Sequence, residues 1–134
     1  AGVAEGILED YAAVSSAFVA MFRHGGDEAW LRRAKELVDT ILEHFVDEVG
    51  ALHDTADDAE ELVSRPSDPT DGPVASGWAL AAAAMLDYLD VAGVDADEAI
   101  KDTAWRALAA AAPVIRDHPR FSGGLAGAAQ RMAV

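Results

Sequence analysis

Cysteine is missing from all 134 positions. That removes disulfides, thiolate metal ligands and a cysteine nucleophile from consideration. Positive charge is scarce too: 10 Lys and Arg stand against 24 Asp and Glu, for a formal charge of −14. Nucleic acids and anionic membranes require clustered basic groups, so neither is an expected partner. A solvated acidic surface is the first explanation of the excess, with adaptation to high salt a minor one. No apolar run is long enough to span a bilayer, and no basic leader with an apolar core follows Ala1. The expected location is cytoplasmic. The four histidines share no ligand spacing with one another. His24 suits a helix C-terminus, and His44 shares a helix face with Asp47 and Glu48, so neither a metal nor a cofactor is expected. Phosphate loops, dinucleotide fingerprints and Ser-His-Asp spacing are absent.

What is present is helical periodicity. Ile7, Leu8, Tyr11, Val14, Phe18, Met21 and Phe22 recur at steps of three and four, which predicts a helix from about Ile7 to Arg23. Gly25 and Gly26 end it, and Asp27 caps a second helix. Trp30, Ala34, Leu37, Val38, Ile41 and Phe45 carry that helix to a stop at Gly50. Ala51 to Thr55 suits a short extended segment, and Asp57 to Glu61 a single helical turn. Pro66, Pro69 and Pro73 then forbid a continuous helix. Ser76 is the expected N-cap of a third helix reaching about Val91, apolar on nearly every side. Asp95 or Asp97 caps a fourth, which Pro113 should kink or end early. A short terminal helix is expected after Pro119, weakened by Gly123, Gly124 and Gly127.

These elements give one all-α domain, 1–134, of antiparallel helical hairpins: hairpin one over about 7–48, a loop over 49–75, hairpin two over 76–116 and a terminal helix over 119–133. The unit of helix, glycine break, acidic cap and helix occurs twice, as in a solenoid or a closed α/α ring.

Four segments also resemble a known family in order and spacing: Leu8-Glu9-Asp10-Tyr11-Ala12, Gly26-Asp27-Glu28-Ala29-Trp30-Leu31, Asp57 through Pro66, and Asp71 through Gly77. They are similar to the C-terminal helical region of the YyaL-like, spermatogenesis-associated thioredoxin-domain proteins. The likeness covers roughly Ile7 to Ile115, and Asp71-Gly72-Pro73 with Ser76-Gly77 is its most specific part. It implies an α/α toroid like those of N-acylglucosamine 2-epimerases and six-hairpin glycosidases. It further implies a thioredoxin-like domain elsewhere in the longer protein, of which this chain would be a late portion. The family's usual Pro-Ser-Gly-Asn-Ser is here Ala75-Ser76-Gly77-Trp78-Ala79, so two polar side chains are replaced at that helix start.

By analogy with such rings, the loop from Gly50 to Gly77 lies at the rim and faces the cavity. Asp57 or Asp58 with Asp71 would then serve as acid and base on a saccharide-like ligand. Asp10 and Tyr11 open the first helix toward the same side. Arg65 suits a carboxylate or phosphate, and Ser76 and Trp78 stand at the loop–helix junction. Each has a plainer role: Asp10 at a helix N-terminus, Tyr11 and Trp78 in the core, Asp57, Asp58 and Asp71 in turns, and Arg65 bracing the loop through Asp68 or Asp71.

The expectation is an uncharacterised piece of a carbohydrate-handling, epimerase- or glycosidase-like toroid, incomplete and inactive alone. The alternative is a non-catalytic interaction module that packs on a partner domain, a thioredoxin-like one included, or on itself. The greasy third helix predicts self-association, so a homo-oligomer is expected.

Overall fold

The computed structural model describes residues 6–54, 56–57, 68–70, 76–93 and 96–132. Among these the chain is helical, with five α-helices and no strand: α1 Leu8–Gly25, α2 Glu28–His44, α3 Gly77–Ala92, α4 Glu98–Asp117 and α5 Gly123–Met132. A single 3₁₀ turn, Pro119–Phe121, links the last two.

Local chemistry sets most of the boundaries. Gly26 closes α1 in the left-handed conformation, φ +74°, and returns its N–H to the Phe22 carbonyl. Asp27, Ser76 and Asp97 each accept a backbone N–H of their own first turn, from Ala29, Ala79 and Ile100 respectively. Two boundaries differ from expectation. α2 ends at His44, with Phe45 at its C-cap, well before Gly50. Gly50 instead turns the chain at φ +88°, so that Val46 and Leu52 meet as one isolated antiparallel bridge. Pro113 neither ends nor shortens α4, which continues to Asp117. Its ring leaves the carbonyl of Ala109 without its helical donor, and Ala109, Ala110, Ala112 and Pro113 are all exposed, where a missing backbone hydrogen bond costs least.

Packing centres on α3, which touches α1, α2, α4 and α5. Its near-continuous alanine surface therefore serves a position packed against four helices: Ala81, Ala82, Ala84 and Met85 have no exposure at all, while Leu80, Ala83 and Val91 are half-buried. This weakens the sequence-based reason for self-association, since most of the apolar surface of α3 is already covered.

Contacts along the helices give their directions. A Cβ on Gly77 would lie 3.6 Å from Cβ of Leu8. Further along, the Ser16 hydroxyl donates to Asp87 at 3.0 Å, and Arg23 pairs with Asp90. α1 and α3 thus run parallel, and Arg131 of α5 reaches the same Asp87 and Asp90. Behind them Lys35 of α2 pairs with Asp97, the cap of α4, and Gly50 abuts Arg106, so α2 and α4 run together in the opposite sense. The result is one row of α1, α3 and α5 backed by a second row of α2 and α4.

Candidate functional site

The parallel sense of α1 and α3 brings their N-terminal ends to one place. A cleft of about 290 Å³ opens there, lined by Ile7, Leu8, Glu9, Asp54, Asp68, Thr70, Ser76 and Gly77. Gly77 forms part of its wall, where a Cβ would stand at ordinary contact distance, 3.5 Å, from Asp54 Oδ1 and from the Glu9 amide.

The segment after α2 delivers Asp54. Asp47 accepts the amides of Val49 and Ala51 at 3.0 Å each, and its other oxygen lies 2.8 Å from His53 Nε2. The His53 amide donates to the Phe45 carbonyl. Burial, the largest single influence on Asp47, pushes its carboxyl upward. The hydrogen bonds from His53, Ala51 and Val49 together outweigh it and hold the group below the ordinary range. So braced, the turn lets the Asp54 carbonyl accept the Leu8 amide at 3.0 Å, tying the loop to the first residue of α1.

Two carboxylates facing this cleft are driven apart. Burial and then the neighbouring Asp68 raise Asp54, with Glu9 adding to the rise, although Asp54 also accepts the Asp68 backbone N–H. Asp68 is lowered by the hydroxyl and amide of Thr70, at 2.6 and 2.9 Å. No Lys or Arg is among the described residues lining the cleft. Two neighbouring carboxyls in unlike environments are the arrangement that acid–base work on a hydroxylated ligand requires.

The residues expected from sequence are only partly gathered here. Ser76 is at the cleft, its hydroxyl donating to the Pro69 carbonyl at 3.2 Å while accepting the Ala79 amide. Asp10 and Tyr11 face elsewhere: they line a separate groove with Val14 and Leu37, and Tyr11 packs against Phe45 at 5.4 Å between ring centres. Glu9, one position earlier, takes the cleft side. Asp57 ties the loop back to α2, its amide to the His44 carbonyl and its carboxylate 2.7 Å from His44 Nδ1. Trp78 is buried and donates its indole N–H to the Ala107 carbonyl, on the α4 side rather than toward the cleft. Asp58, Arg65 and Asp71 lie outside the described residues. Sequence reasoning missed Glu9, Asp54 and Thr70. Only Asp68-Pro69-Thr70 had a local signal, since Asp two residues before Thr favours a side-chain-closed turn. Among the described residues no three His, Asp or Glu converge as a metal set would, and no helix is long and apolar enough to cross a membrane.

Comparison with protein-family models, with curated proteins and with solved structures gives no match.

Proposed function

We propose that the cleft between the N-termini of α1 and α3 binds a saccharide-like ligand. In this reading the chain is a portion of a carbohydrate-handling α/α toroid built from helical hairpins, as its resemblance to the YyaL-like family implies. The observation that carries the reading is the pair Asp54 and Asp68, two neighbouring carboxyls pushed in opposite directions in a cleft lacking a described cationic side chain. Asp54, the raised member of the pair, is the candidate acid, and Asp68, lowered by Thr70, the candidate base. The Glu9 carboxylate is the group proposed to accept from ligand hydroxyls, beside Ser76. A single exposed cleft of this size excludes little water, so binding without turnover is the expectation for this chain alone.

Backbone amide NMR with a panel of neutral, amino and acidic sugars tests the proposal. Saturable shifts should gather at Glu9, Thr70 and Gly77 for at least one sugar, at an affinity on the order of 1 mM. Asp68→Ala should abolish them without altering the helical circular dichroism. A panel in which no sugar moves those amides would remove the reading.

A further inference from the structure

Two faces of the helical array carry exposed apolar side chains, and they are different faces. On the α1–α2 edge, Val14 and Met21 are 44% and 46% exposed. A groove of about 190 Å³ lies there between Tyr11, Val14 and Leu37, with Asp10 at its cleft-end lip. On the α4–α5 edge, Trp105 is 59% exposed. It stands beside a groove of about 210 Å³ formed with Leu108, Ala129 and Met132. Apolar grooves flanked by a protruding indole are characteristic of docking faces rather than of water-facing helices.

The charges on the two edges are complementary at the end away from the cleft. Away from the cleft, the α1–α2 edge carries Arg33 over the Trp30 ring, 5.3 Å from its centre. Helical phase sets Trp30, Arg33 and Leu37 on the side of α2 opposite Lys35, which reaches inward to Asp97. At the same level the α4–α5 edge carries Glu98, Lys101 and Asp102 around Trp105, two acids to one base. At the cleft end the first edge carries an acid, Asp10. Within α4, Glu98 pairs with Lys101 and Asp102 with Arg106. Exposed pairs of that kind are worth only a few tenths of a kcal/mol, so re-pairing across an interface is cheap.

We propose that these edges are the two halves of one head-to-tail interface between copies of this chain, with Trp105 of one copy seated in the α1–α2 groove of the next. Docking in this register sets α5 beside α1 of the next copy in the parallel sense that α1 already has with α3, so each addition extends both rows. A two-fold dimer through one edge alone is the competing geometry.

Sedimentation velocity over a concentration series at low ionic strength decides between them. The wild-type mass should climb past the dimer and fall with added salt. Trp105→Asp and Val14→Asp, both at exposed positions, should each be a folded monomer, with unchanged circular dichroism. Mixed in equal amounts they should form a dimer, because each supplies the edge the other lacks. Arg33→Glu should weaken association roughly two- to fivefold, and Glu98→Arg in the same chain should restore it. A wild type that stays monomeric into the millimolar range, a self-associating Trp105→Asp, or a mixture that stays monomeric would each overturn the proposal.

Discussion

The two ends of the helical rows are built from the same excess of acid and treat it in opposite ways. At the end away from the cleft, Asp87 and Asp90 meet Arg131 and Arg23, and Asp39 and Asp97 meet Lys35. These pairs knit α1, α3 and α5 in one row and α2 and α4 in the other. At the cleft end, Glu9, Asp54 and Asp68 line one opening together, without a lining Lys or Arg among the described residues. An acid-rich composition thus says little by itself. Neutralised, a carboxylate is a structural tie; buried and beside a like charge, as Asp54 is, it is pushed above its ordinary range.

The largest expected effect tests how firmly the cleft end is held. Gly50 sits at φ +88°, and a Cβ there would stand 2.7 Å from Cβ of Arg106, an atom fixed to the α4 backbone. Gly50→Ala should lower stability by about 2 kcal/mol or more in urea unfolding, combining left-handed strain with the clash. A loss of only a few tenths would mean that the turn carrying Asp54 is not fixed against α4.

Next in size is Asp47→Ala, which strips acceptors from the Val49 and Ala51 amides and from His53. A loss of about 1–2 kcal/mol is expected. Because Asp47 is lowered in the folded state, its contribution is present above the ordinary carboxyl range and fades as pH falls through its folded value. The difference between wild type and Asp47→Ala should therefore shrink in acid.

At the opposite end, Asp87→Ala removes the acceptor shared by Ser16 and Arg131. The group is partly exposed, so the expected loss is about 1 kcal/mol, measured by thermal unfolding and reduced by salt. A salt-independent loss would show that Asp87 acts through packing rather than charge.

Some of this was legible in the chain and some was not, for physical reasons. The caps Asp27 and Ser76 and the stop at Gly26 are local devices, readable within four residues. Pro113 misled because its effect depends on which way its ring faces, a property of the packed bundle and not of the helix. The enclosure of α3 was legible as an apolar surface, but what encloses it was not. The cleft was least legible, since Glu9 meets Gly77, 68 positions away, only because α1 and α3 run parallel, and Asp54 joins them only through the turn that follows α2. No periodicity encodes that. Asp10 and Tyr11 were one and two positions from the residue that faces the cleft, an error of phase that a helix turns into the opposite side of the molecule.

The smallest effect is the sharpest test of the contrast between the ends, because its sign is reversed. Asp54 is raised, chiefly by burial and then by the charge of Asp68. A raised carboxyl favours folding while it is protonated in both states, and that advantage is lost as pH climbs from the unfolded value through the folded one. Above that window the ionised group works against the fold. Asp54→Asn keeps the shape and an oxygen to accept the Asp68 amide but has no charge to bury. It should therefore unfold at slightly higher temperature than wild type at neutral pH, and at the same temperature once the pH falls below the ordinary carboxyl range. Removing a carboxylate would thus stabilise the cleft end while destabilising the other, and Asp54→Asn losing stability at neutral pH as Asp87→Ala does would erase the distinction.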